Sequence, residues 1–188
     1  YQDKLLNEAT KIYQGKTSGN WSPKKVMQNK TILIIGTGPS ATNKKSEIEF
    51  ISNKLDLISI GLNNTPDVDY NVIIHPIRIL SIINNSSFSP KSLILPLSML
   101  EEDLQTYFRK YNHFDFGAKI GGERFNYHDT SSEIPTKAVL GYALSIANSG
   151  CAKEIILAGF DGYKQKEKND EMNNLIEMYF KNNSSIPL

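Results

Sequence analysis

One cysteine, Cys151, is all the thiol chemistry in this chain, which excludes an internal disulfide and any cysteine-based zinc site. Histidines number three, His75, His113 and His128, and neither a His-x-His nor a Glu-x-x-His spacing occurs, so no metal site is expected. Charge of one sign is missing too: 21 Lys and Arg face 20 Asp and Glu, leaving +1. No global basic field therefore advertises nucleic acid as a partner. There is no secretion signal and no apolar run long enough to span a membrane, so the expected location is the cytoplasm. A Gly-x-Ser-x-Gly elbow is lacking, which argues against a serine hydrolase. Internal repeats and low-complexity segments are absent. With 188 residues there is enough chain for one good core and too little for two typical domains. The chain starts at Tyr1 rather than Met, and a piece of something longer is expected.

What is present is organised around Thr31-Ile-Leu-Ile-Ile-Gly-Thr-Gly-Pro-Ser40. Thr31 to Ile35 is a β-branched and apolar run cut off by glycine, the pattern of a strand buried on both faces. Gly36, Thr37, Gly38, Pro39 and Ser40 make a tight turn, and a helical pattern starts near Lys44. Glycines let backbone N–H groups approach a phosphate, and a following helix adds its positive end. The third glycine of the dinucleotide fingerprint is missing, Thr42-Asn43-Lys44 standing in its place, and so is the Lys-Ser/Thr ending of a P-loop. NAD and ATP are thus poorly supported. A purely structural turn and a nucleotide-contacting loop of another type both stay open.

Residues 1–29 read as an N-terminal helix and linker, with Leu5, Leu6, Ala9 and Ile12 on one face and Trp21 an anchor packed on the sheet. Residues 30–188 read as a single domain. Further strands are expected at Leu57–Gly61, Tyr70–Ile74, Ser92–Pro96 and Lys153–Ala158, and helices at Ser46–Leu55, from Ser98 to about Lys110, from Pro135 to a stop at Ser149-Gly150, and at Asn169–Phe180. Ser98 with Glu101 suggests a capping box, and Pro135 suits a first helical turn. Asn112–Gly122 gives no clear pattern. Strands alternating with helices predict an α/β, Rossmann-like open, mostly parallel sheet with helices on both faces. In such a sheet the polar clusters after successive strands share one edge, where ligands bind.

Those clusters supply the candidates. Asn63 and Asn64 follow the second strand, where amides suit a base edge or a sugar hydroxyl, and equally a turn. His75 and Arg78 follow the third, a base for proton transfer and a fork for phosphate or carboxylate. Asp161 follows the last, able to contact ribose hydroxyls, a metal or a partner loop, or to cap a turn. His128, in Phe125-Asn-Tyr-His-Asp129, is a second candidate base.

Two resemblances rest on these residues. Ile35-Gly-Thr-Gly-Pro-Ser40 resembles the Gly-x-Gly-Pro-Ser loop of bacterial lipooligosaccharide sialyltransferases, and Pro135–Tyr163 is similar to that family's last core helix and strand. The likeness implies a Rossmann-like domain contacting CMP-sialic acid through this loop and Asn63, with His128 as general base. Pro135-Thr-Lys137 stands where that family has Thr-Ser-Gly beside the nucleotide. Over nearly the whole chain, His75-Pro-Ile-Arg78, Pro96-Leu-Ser-Met-Leu100, Leu157-Ala-Gly-Phe-Asp-Gly-Tyr163 and Asn169-Asp-Glu-Met-Asn173 resemble the C-terminal region of bacterial aldolase-type proteins that begin with a pyruvate-aldolase or HMG-CoA-lyase-like barrel. That likeness implies an N-terminal aldolase barrel as partner domain, with the aldolase metal outside this chain. The expected function is binding of a nucleotide or nucleotide sugar, without a cofactor in this domain. A non-catalytic regulatory or assembly module of the aldolase is the alternative, and a homo-oligomer is left open.

Overall fold

The computed structural model describes residues 13, 17–54, 56–182 and 184–188. The expected helix over residues 2–12 lies outside them, as does Leu55. Thr31–Ile35 forms β1, and its near-total burial explains the unbroken apolar run. It pairs in parallel on one side with β2 (Leu57–Leu62) and on the other with β9 (Glu154–Ala158), Ile34 lying opposite Ile60 and Leu157. Between these, β3 (Tyr70–Val72), β4 (Leu93–Leu95) and β5 (His113–Asp115) extend the sheet to six parallel strands in the order β5-β4-β3-β2-β1-β9. A second, three-stranded sheet of β6 (Gly117–Ile120), β8 (Ser131–Ile134) and β7 (Asn126–Tyr127) packs beside it. The fold is therefore α/β with a Rossmann-like open sheet.

Side-chain alternation along the strands divides the core between two faces. Val72, Ile74 and Ile94 point to one face with α1 (Lys24–Met27), α6 (Val139–Ser149) and α7 (Lys166–Lys181). Ile73, Leu93 and Leu95 point to the other, covered by α4 (Pro76–Ile83) and α5 (Glu102–Phe108). Chain order reverses at β1, so the later helices cross the face opposite to the earlier ones, as right-handed crossovers demand. Each fully buried aliphatic side chain in these layers contributes about 1.5–3 kcal/mol. Short α2 (Pro39–Asn43) and the more exposed α3 (Lys45–Lys54) link β1 to β2.

Several local expectations need correction. Ser98 caps no helix: Leu97–Met99 is one 3-10 turn, α5 begins at Glu102 with Glu101 at its N-cap, and no side-chain cap bond forms there. The Ser98 hydroxyl and N–H instead bind the buried carboxylate of Asp115, the N–H at 3.1 Å. Pro135 does not start α6, because Ser131–Ile134 is a strand and Ala138 is the N-cap. The third strand stops at Val72, short of the expected Ile74, and Arg78 falls inside α4. Trp21 is packed as expected, its ring 4.9 Å from Phe114 and 6.4 Å from Tyr70. From residue 17 on, the expected linker lies against the domain: Asn20 and Trp21 N–H groups donate to Asp115 O, and Met27 is wholly buried.

Candidate functional site

Parallel pairing brings the ends of β1, β2, β3 and β9 to one edge of the sheet. Gly36–Ser40, Asn63, Asn64, His75, Arg78 and Asp161 all follow these strands. The crevice of such a fold opens where strand order reverses, here between β1 and β9.

That crevice is closed by the chain itself. Gly36 N–H donates to Ala158 O at 2.8 Å, and Gly38 N–H to Gly159 O at 3.0 Å. Ser40 then presents its N–H, at 3.0 Å, and its hydroxyl, at 2.8 Å, to the carboxylate of Asp161. These bonds from Ser40 hold the Asp161 carboxyl below its usual range. Its negative charge sits at the amino end of α2, the position a phosphate would take. A Cβ on Gly38 would stand 2.1 Å from Asp161 Oδ2 and 2.6 Å from Gly159 O. The glycine is accounted for by this close approach, with no ligand required. Gly159 adopts φ +76°, which lets the β9 loop turn back onto the hinge. The loop is also tied to α7, because Tyr163 N–H donates to Asn169 Oδ1 at 2.6 Å and the Asn169 amide returns a bond to Tyr163 O.

Next to the hinge the edge is differently charged. Asn63 N–H donates to Val72 O at 2.9 Å, which places it beside the end of β3. Its backbone is left-handed, φ +61°, and its Oδ1 is buried with no hydrogen-bond partner among the described residues. Asn64 is exposed in the same turn, which Thr65 closes by donating its hydroxyl to Leu62 O at 3.0 Å. His75 is the half-buried N-cap of α4, and the N–H groups of Arg78 and Ile79 donate to its carbonyl. Burial, then the positive charges of Lys137 and Arg78, lower the His75 pKa, while Glu171 opposes them. The ring is therefore neutral at pH 7 and able to accept a proton. Neither Arg78 nor Lys137 has an ion-pair partner among the described residues.

No hydrogen bond ties His128 to this group among the described residues. It is exposed at the turn between β7 and β8, its N–H bonded to Ser131 O at 2.9 Å. Lys137 follows the far end of β8, three residue steps or roughly 10 Å along the strand. Beside His128, Asp129 accepts from Ser22 at 2.7 Å. His113 is in β5, its ring 2.9 Å from Tyr111 O. The residue that reading the sequence missed is Lys137. Placing the helix start at Pro135 hid it inside a first turn. The detectable sign was that the apolar stripe starts only at Ala138, which leaves Lys137 ahead of the helix.

No group of three or more potential metal ligands is assembled among the described residues, and no helix among them is long and apolar enough to cross a membrane. No protein-family model matches the chain, nor does any curated protein or solved structure. What the geometry defines is a class: an open parallel α/β domain with a stitched hinge and a cationic ledge along one sheet edge.

Proposed function

We propose that this chain is a nucleotide-binding domain, taking a CMP-sugar-type ligand at the carboxyl edge of β2 and β3, in the manner of a sialyltransferase-like domain forming the C-terminal part of an aldolase-type protein. The observation that carries the reading is the Asn63 side chain. A buried amide oxygen without a partner costs about 1–3 kcal/mol. Such a group is tolerated where a ligand supplies the missing donor, and a base amino group or sugar hydroxyl does so. Asn63 and Asn64 face the nucleoside in this reading, and Arg78 faces its charge. Proton transfer at this edge falls to His75, the imidazole present there, rather than to His128. Titrating CMP, CDP and UDP into the protein by calorimetry tests the reading: saturable binding supports it, and no heat from any of the three removes it.

The stitched hinge favours a second reading, in which the domain is a non-catalytic regulatory or assembly module of the aldolase. Gly36, Gly38 and Ser40 would then serve only to hold β9 against β1. This reading expects deletion of residues 30–188 from the full aldolase-type chain to change its oligomeric state or effector response, with His128→Ala leaving both unaltered. Binding of a nucleotide by the intact domain weighs against it.

A further inference from the structure

Resting on the nucleotide reading, we propose that the ligand's phosphate is held by Arg78, Lys137 and His75, between the amino ends of α4 and α6, and not by the glycine hinge. The N–H groups of Gly36, Gly38 and Ser40 are already bonded to Ala158, Gly159 and Asp161. A phosphate entering there would have to displace a carboxylate of the same charge.

The ledge beside it has the opposite character. β3 is covered by α6 on one face and α4 on the other. Both helices have their amino ends at the carboxyl edge: α4 follows β3 directly, and α6 runs back across the sheet toward β9. Neither has a side-chain cap or an acidic residue in its first turn. Two positive helix ends therefore approach from opposite faces. Lys137 lies two residues before α6 begins, and Arg78 lies in the first turn of α4. Both are near enough to His75 to lower its proton affinity. Glu171 acts on this imidazole in the opposite sense, so two cations and one anion bear on its charge. Arg78 can offer a fork to two phosphate oxygens and Lys137 a point charge. Phosphate beside His75 reverses the balance around the ring and favours its protonated form.

Inorganic pyrophosphate is the probe, used with CMP in parallel on the intact protein, Arg78→Gln, Lys137→Met and Ser40→Ala. Pyrophosphate is expected to bind the unaltered protein and to move the His75 ring resonances to a higher pKa. Losing one charge-assisted contact should weaken pyrophosphate about tenfold or more in Arg78→Gln and in Lys137→Met. Ser40→Ala should leave it within about twofold. Both charge variants alter side chains outside the core, and thermal melts confirm that they fold. Loss on Ser40→Ala with no loss in the charge variants overturns the proposal, as does absence of pyrophosphate binding. If CMP still binds in either case, the nucleotide reading survives without this seat; if CMP also fails, both fall.

Discussion

Replacing Gly38 with alanine adds one methyl at the narrowest point of the hinge, and its consequence separates a structural glycine from one kept for a ligand. Gly38 has φ −69°, so alanine takes its backbone without strain and the whole cost is contact. The methyl would stand 2.1 Å from Asp161 Oδ2 and 2.6 Å from Gly159 O. Asp161 is exposed and can swing aside, giving up its bonds to Ser40. Gly159 O cannot, because it is backbone directly after β9 and accepts from Gly38 itself. Overpacking by a methyl costs about 1–3 kcal/mol. Alanine also restricts the unfolded chain, returning about 0.4–1 kcal/mol. Contact wins, for a net loss of about 1–2 kcal/mol, and a chain of this size should melt about 3–6 °C lower. In an Asp161→Ala background the same substitution should cost less, though not nothing, since the clash with Gly159 O stays. The assay is calorimetric or circular-dichroism melting of the four proteins in this cycle. A Gly38→Ala protein that melts at or above the parent, and has lost CMP binding, would refute the stitched hinge and return the glycine to the ligand.

Three further outcomes follow from the packing and the charges. Tyr142 is fully buried on α6 and donates its hydroxyl to Phe116 O, so Tyr142→Phe should lose about 1–2 kcal/mol by urea denaturation. Burial tends to raise the Asp69 pKa but is outweighed by the Ser59 N–H, Lys91 and the Ser59 hydroxyl, so its folded pKa lies below the unfolded value. Its contribution is then present above about pH 4 and is lost as pH falls through the folded pKa, and Asp69→Asn should flatten the acid limb of the stability profile. Lys137→Met should raise the His75 pKa seen by NMR, because it removes a positive charge while burial and Arg78 persist; an unmoved titration would put Lys137 away from the ledge.

The legible parts of this fold are those whose physics is local. β1 and β2 were visible because well-buried strands need continuous apolar runs, and β9 showed the same kind of run although it is an edge strand in which Ile155 alone is fully buried. Helix α7 declared itself through Met172, Leu175, Ile176 and Tyr179, and it extends beyond the expected Asn169–Phe180 at both ends. β5, β6 and β8 were hidden because their polar residues are satisfied by distant ones. Asp115 is bound by Ser98, and Ser132 shares a bond with Ser145, 2.7 Å away on α6. The convergence of Asn63, His75, Arg78 and Asp161 on one edge was legible, since parallel strands impose it. That Asp161 fills the hinge was not, as Ser40 lies 121 residues away. Nor was the place of His128 at the turn before β8, which depends on β8 being a strand.

The central claim is that the ligand's charge rests on the ledge of Arg78 and Lys137 while the hinge stays shut. Crystals grown with CMP test this most directly. The expected density puts the phosphate within hydrogen-bond reach of Arg78 and Lys137 and the nucleoside against Asn63, with Asp161 still bonded to Ser40. A phosphate seated on the N–H groups of Gly38 and Ser40, with Asp161 turned out to solvent, would contradict it.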